Sequence, residues 1–236
     1  MQKIKMLMQF KDFFTVGTII CGFLVLVFAS SGLFLLASSM IMLGFILDAF
    51  DGFIGRLTKS SNEFGAEFDR VADLVIYSMS PSILLFFAYK QTNLHMAIAI
   101  GIVPLLFGCI RFARFNIKKI EYPGYWIGLP RPASAIAIIG FLNASLTENS
   151  SGIYAFIFVL ILGMLNISFL PYFGHHERKL SNFEKVIIGG VIILFVGSIF
   201  LNLAWDIVFV LSIFYIISPF FIPKNEKNKI KKFIRK

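Results

Sequence analysis

The chain has 236 residues, 58% of them hydrophobic, and carries a formal net charge of +9. Its mean hydropathy is +0.83. Soluble domains are nearer half apolar, so the composition excludes a soluble domain with one core and points to an all-α polytopic membrane protein. The charge does not mark a nucleic-acid binder, because Lys and Arg lie in short connections between long apolar runs, the pattern of cytoplasmic bias.

A helix needs about 20 apolar residues to cross a bilayer. Ahead of the first such run, residues 1–12 mix Ile4, Met6, Leu7, Met8 and Phe10 with Lys3, Lys5 and Lys11. That mixture suits an interfacial amphipathic segment. The first run has no small-residue cleavage site, so no cleavable signal peptide is expected. Eight runs follow in order, at about 13–30, 33–53, 67–89, 94–115, 131–147, 152–171, 186–203 and 206–222. The connections after the first, third, fifth and seventh are short: SSG, KQTN, TENSSG and the stretch around Asn202 to Asp206. The others are longer and basic. Placing those and both termini in the cytoplasm puts every one of the 22 Lys and Arg residues inside except Lys90, and that asymmetry sets the expected orientation. Residues 223–236 read as a basic cytoplasmic tail that rests on anionic lipid. Cys21 and Cys109 both fall in apolar runs and imply neither a disulfide framework nor metal spacing. No internal repeat of the transporter kind is visible.

Four of the six aspartates lie at the cytoplasmic end of the second span, Asp48 and Asp51, and at the cytoplasmic start of the third, Asp69 and Asp73. The pairs are spaced i,i+3 and i,i+4, so each shares one helix face. The short loop LTKSSNEF brings the two faces together at one depth. Unpaired carboxylates there would repel one another and lose solvation. Divalent cations remove both costs. Hard oxygen ligands suit Mg²⁺ or Mn²⁺, and four of them suit two metals about 4 Å apart. Gly52 and Gly65 put bare backbone beside the carboxylates, which lets a bulky ligand approach. Ordinary helix-end charges, with Asp69 favoured by the dipole, would explain one or two of these acids. They do not explain four on two facing surfaces, and acids within a membrane are functional by default.

The same residues resemble the signature of the CDP-alcohol phosphotransferase family, Asp-x2-Asp-Gly-x2-Ala-Arg-x8-Gly-x3-Asp-x3-Asp. Here it reads Asp48, Asp51, Gly52, Gly55, Arg56, Gly65, Asp69 and Asp73 at the same spacings, with Gly55 in place of Ala. The resemblance implies a six-helix catalytic core over residues 13–171 with its active site at the cytoplasmic side. Residues 172–222 then add two further transmembrane helices. It also implies a CDP-lipid donor, CMP as leaving group, two divalent cations and a homodimer. By the same resemblance Asp48, Asp51, Asp69 and Asp73 ligate the metals, and Asp73 also acts as general base. Asp48, Gly52, Arg56, Gly65 and Asp69 hold the cytidine diphosphate.

Two further stretches, CIRFARFNIKK from Cys109 and GLPRPASA from Gly128, look like features of the phosphatidylserine and archaetidylserine synthase branch. DFFTVGTIICGF resembles that branch's Asn-x2-Thr-x2-Asn-x2-Cys-Gly pattern: Thr15, Cys21 and Gly22 match, and Asp12 and Thr18 replace the two asparagines. The implied acceptor is L-serine, and the implied location the cytoplasmic membrane. Arg111 and Arg114 are i,i+3 at the cytoplasmic end of the fourth span, and Arg131 starts the fifth. Facing the cavity of the aspartates, these guanidinium groups would bind a serine carboxylate or a lipid phosphate; snorkelling topology signals are the alternative. Asn116 is either an acceptor ligand or a turn residue. His175, His176 and Glu177 fall in a polar loop, and adjacent histidines cannot share a helix face. The rival enzyme readings are phosphatidylglycerophosphate or inositol-lipid synthesis. A cation-coupled transporter is the rival of another class, but the acids gather at one face and the outer loops carry almost no polar groups.

Overall fold

The computed structural model describes residues 8–58, 62–117, 122–148, 150–174 and 204–234. The chain divides into two compact units, residues 1–109 with 152–160, and residues 110–151 with 161–236.

In the first unit, helix α1 (Asp12–Ser30) turns back into α2 (Phe34–Thr58) through Ser31, Gly32 and Leu33. The amide of Leu33 donates to the carbonyl of Phe28 at 2.9 Å, and that of Gly32 to Ala29 at 3.1 Å. This paired closure needs a left-handed residue at its centre, and Gly32 supplies it with φ of 78°. The turn makes α1 and α2 neighbours, the most extensively packed helix pair of the unit. At four-residue intervals, Cys21, Val25 and Ala29 on one helix and Ala37 and Ile41 on the other are all buried, and the two helices approach where a Cβ on Gly44 would lie 3.5 Å from the Cys21 Cβ. Small residues at such a seam let backbones approach closely. The outer faces carry Phe13, Ile20, Phe23, Leu35 and Leu36, all exposed, as suits a surface solvated by lipid tails.

The next helix begins at Asn62, whose side-chain oxygen accepts the Gly65 amide at 2.8 Å. An asparagine cap of this kind satisfies one of the free donors at a helix start. The helix runs as α3 (Glu63–Leu74), a wider π-turn (Val75–Met79) and α4 (Ser80–Lys90). Pro81 explains the widening: it lacks an N–H and its ring crowds the carbonyl four residues back. Ser80 takes up the slack, its hydroxyl donating to the Val75 carbonyl at 2.9 Å. Helix α5 (Leu94–Ile117) contains Pro104. Within this unit it comes close to the preceding helix at Gly108, where a Cβ would collide with the Ser78 side chain.

The second unit holds a two-stranded antiparallel ribbon, β1 (Tyr125–Ile127) with β2 (Pro171–Phe173), in the register Tyr125↔Phe173, Trp126↔Tyr172, Ile127↔Pro171. It also holds α6 (Arg131–Asn143), the end of α7 (Gly152–Ile167), α8 (Ala204–Ile217) and α9 (Lys224–Ile234). Helices α6 and α8 cross where a Cβ on Gly140 would meet the Phe209 Cα at 2.9 Å. The basic tail is the amphipathic helix α9. Ile230 is buried, the Phe233 ring meets Tyr122 edge-on at 5.5 Å, and Lys224, Lys229 and Lys232 are exposed.

Five described stretches are long and apolar enough to cross a membrane: Asp12–Ser30, Phe34–Gly55, Glu63–Lys90, Leu94–Ile117 and Ala204–Phe221. They correspond to the first four expected spans and the last. The expected fifth span is a shorter helix of 13 residues with a 3-10 turn beyond it, and the sixth is an apolar helix of 16. The expected seventh span, residues 1–7 of the amphipathic segment, and His175, His176 and Glu177 lie outside the described residues. The mostly helical, lipid-facing architecture is that of a polytopic membrane protein.

Candidate active site

The acid site lies entirely in the first unit. Asp48 stands near the end of α2, and Asp69 and Asp73 stand one turn apart on α3. Each offers a carboxylate oxygen, and the three oxygens lie within 4.8 Å of one another. All three side chains are half-buried. Three negative charges at that spacing repel strongly unless a cation lies among them. Hard oxygen donors on two rigid helices are what Mg²⁺ or Mn²⁺ takes, so the residues fit a divalent cation.

Asp51 is held differently. It is buried, and its Oδ2 accepts from the Thr15 hydroxyl on α1. Its Oδ1 lies 3.8 Å from the Lys11 Nζ. Lys11 is only 8% exposed, and its ammonium is also 3.4 Å from Asp12 Oδ1. Asp12 is fully buried, and its other oxygen accepts the Gln9 amide at 2.7 Å. The last residues of the expected interfacial segment thus turn inward and set a buried lysine between two buried carboxylates.

Gly65 closes this corner. A Cβ there would fall 2.8 Å from Asp12 Oδ1, 2.8 Å from Asn62 Oδ1 and 3.0 Å from Lys11 Nζ. A side chain at this position would have to displace the polar tips of Asp12, Asn62 and Lys11. Gly52, next to Asp51, is exposed. Arg56 lies in the last turn of α2, and its side chain lies outside the described residues.

The second unit holds the arginines. Arg111 Nη1 donates to the carbonyls of Asn166 at 2.6 Å and Ile127 at 3.2 Å. Arg114 donates to those of Ile167 at 2.6 Å and Ile127 at 3.3 Å, and stacks on Phe169 at 5.2 Å. Asn166 and Ile167 end α7, where carbonyls lack helical partners and the dipole favours cations. The two arginines therefore cap α7 and tie it to β1. A guanidinium has five N–H donors, more than these carbonyls take up. Arg131 lies over the Phe112 ring at 5.7 Å, and Asn116 is exposed at the end of α5. Tyr172 is fully buried beside Tyr215, with ring centroids 5.8 Å apart. Burial pushes its phenol up to about 12, against the opposing pull of the Arg111 charge.

Sequence reasoning missed three participants. Lys11 reads only as part of the basic interfacial flank, and Asp12 only as a replacement for the first asparagine of the serine-branch pattern. Tyr77, whose phenol donates to Asp48 Oδ2 at 2.7 Å, left a visible signal: Asp69, Asp73 and Tyr77 recur every four residues on one helix.

The chain matches the CDP-alcohol phosphatidyltransferase family over residues 8–170. It is 32% identical over 187 residues to the CDP-diacylglycerol–serine O-phosphatidyltransferase of Helicobacter pylori, covering 75% of this chain and 73% of that one. It is 32% identical over 175 residues to the protein of the same name in Methanocaldococcus jannaschii, covering 73% and 77%. The archaetidylserine synthase of Methanothermobacter thermautotrophicus is 25% identical over 150 residues, covering 63% and 64%.

Proposed function

Because the chain belongs to the CDP-alcohol phosphatidyltransferase family, we propose that it transfers the phosphatidyl group of a CDP-linked lipid, CDP-diacylglycerol or CDP-archaeol, to L-serine and releases CMP. It is an enzyme, a membrane transferase of phospholipid synthesis. The observation that carries the reading is the meeting of Asp48, Asp69 and Asp73 oxygens within 4.8 Å at the junction of two apolar helices. A diphosphate is a poor electrophile while its charge is bare, and two divalent cations held here supply the neutralisation that lets CMP depart.

The chain's own residues do the rest. Asp48, Asp69 and Asp73 hold the cations, and Asp51 joins them as the fourth ligand only by turning an oxygen away from Thr15 or Lys11. Gly52, Arg56 and Gly65 receive the cytidine diphosphate, with Arg56 offering a forked donor to phosphate. The serine hydroxyl attacks the phosphatidyl phosphorus and the bond to the CMP oxygen breaks. The hydroxyl proton passes to the Asp73 carboxylate. Resemblance to the serine branch alone assigns the acceptor carboxylate to Arg111, Arg114, Arg131 and Asn116. That the relatives matching about three-quarters of the chain are named serine transferases supports serine.

CMP release from either CDP-lipid is expected with L-serine and not with glycerol 3-phosphate or inositol phosphate. Release with one of those alone would move the acceptor within the family, and release with no alcohol would remove the transferase reading. Arg111→Lys and Arg114→Lys keep charge but lose the fork. An acceptor role raises the serine KM and leaves the CDP-lipid KM unchanged. A fall in thermal midpoint with both KM values unchanged would reduce the arginines to caps of α7.

We place the active site on the cytoplasmic side of the cytoplasmic membrane, with both termini inside, on the distribution of Lys and Arg. In a background lacking Cys21 and Cys109, a cysteine near Lys59 is expected to resist impermeant reagents added to intact cells, and one near Asn149 to react. The reverse pattern would invert the topology.

A further inference from the structure

Tyr77 has no place in the reaction as described, yet it is tied directly to the acid cluster. Its side chain is 2% exposed, and its hydroxyl donates to Asp48 Oδ2 at 2.7 Å across 29 residues of chain. The Phe45 ring, one turn before Asp48 on α2, meets the Tyr77 ring edge-on at 6.4 Å. The phenol is thus fixed at both ends, by an aromatic contact and by a hydrogen bond.

The π-turn puts it there. Successive i,i+4 positions on an α-helix drift by about 40°, so a residue eight after Asp69 would rotate away from the acid face. The wider turn over Val75–Met79 takes back part of that drift. Tyr77 therefore stays in line above Asp69 and Asp73 and faces α2.

We propose that Tyr77 is a positioning residue for the cation site. It engages one oxygen of Asp48 and fixes the carboxylate's rotation, so that the other oxygen is presented to the cation shared with Asp69 and Asp73. This rests on the metal-site reading above. A carboxylate bonded to a cation by one oxygen needs a donor for the other, and loss of such a partner costs about 10- to 100-fold in metal affinity.

The test uses Tyr77→Phe, which keeps the ring and its contact with Phe45 and deletes only the donor. Mn²⁺ binding to the purified, detergent-solubilised chain is followed by loss of the free-ion electron paramagnetic resonance signal. Alongside it, CMP release is titrated with Mn²⁺. The expected result is a Kd and a half-saturating Mn²⁺ concentration each raised about 10- to 100-fold, with turnover restored at saturating metal. A merely structural role would lower the thermal midpoint and leave the Mn²⁺ Kd at the parent value, and that result would overturn the proposal. Asp48→Asn separates the two readings. If Asp48→Asn weakens Mn²⁺ binding and Tyr77→Phe does not, only the positioning role is lost. If Asp48→Asn leaves Mn²⁺ binding intact, the metal site itself is lost and Tyr77 with it.

Discussion

Asp48→Asn and Asp69→Asn are each expected to lower CMP release by about a thousandfold or more at saturating Mg²⁺ or Mn²⁺, since a metal-held phosphoryl charge is worth several kcal/mol in the transition state. The substitutions are nearly isosteric. Asn at position 48 still offers an oxygen to the Tyr77 phenol, so the local packing survives. The sign of the stability change is the informative control. In the metal-free chain each carboxylate repels two others within 4.8 Å, and removing one relieves that repulsion. The metal-free variants are therefore expected to unfold at or above the parent midpoint while being inactive. Near-parent turnover in either variant would sink the assignment of these aspartates as ligands. A large fall in midpoint would make them packing residues instead.

Lys11→Met is expected to destabilise the first unit by about 3–5 kcal/mol, the cost of leaving buried carboxylates without their cation. Asp12 and Asp51 are 0% and 4% exposed, and the Lys11 ammonium lies 3.4 and 3.8 Å from them. Methionine fills much the same volume and supplies no charge. The second substitution is the check. Lys11→Met with Asp12→Asn removes one of the two stranded charges together with its partner, so part of the lost stability should return while Asp51 stays stranded, and the double-mutant cycle measures the Lys11–Asp12 coupling. A Lys11→Met chain with the parent midpoint in detergent would mean that water reaches both carboxylates and that the lysine is a surface charge.

These two cases differ in how far the sequence reveals them. Asp48, Asp69 and Asp73 are legible because helical spacing alone aligns them, and a short connection forces their helices together. The link from Lys11 to Asp51 spans 40 positions and depends on how α1 lies on α2, which depends on the turn at Gly32. Lys11 in the sequence is one more basic residue in a basic flank. Arg111 and Arg114 show the same limit. Their spacing puts them on one face of α5, but their carbonyl partners at Asn166 and Ile167 come from a helix end some 50 residues away. The β1–β2 ribbon joins two three-residue segments about 45 residues apart, one of them opening on Pro171, and no alternation is long enough to announce it. The fifth span shortens because Ala144 adopts an extended backbone, φ −73° and ψ 138°, after Asn143, and past that break Leu146 alone is apolar before the TENSSG connection.

Helix α9 changes what the basic end of the chain does. A polybasic segment on a loose leash, drawn to an anionic bilayer, would act as a tether: it limits distance and leaves the attached body free to tumble. Here Ile230 is buried and Phe233 rests on Tyr122, so the lysines travel with a folded surface. Attraction applied to such a rigid patch exerts a torque. Drawn to an anionic bilayer, the patch would favour one tilt of the second unit against the lipid headgroups, and changes in anionic lipid content would act on that unit as a change of orientation.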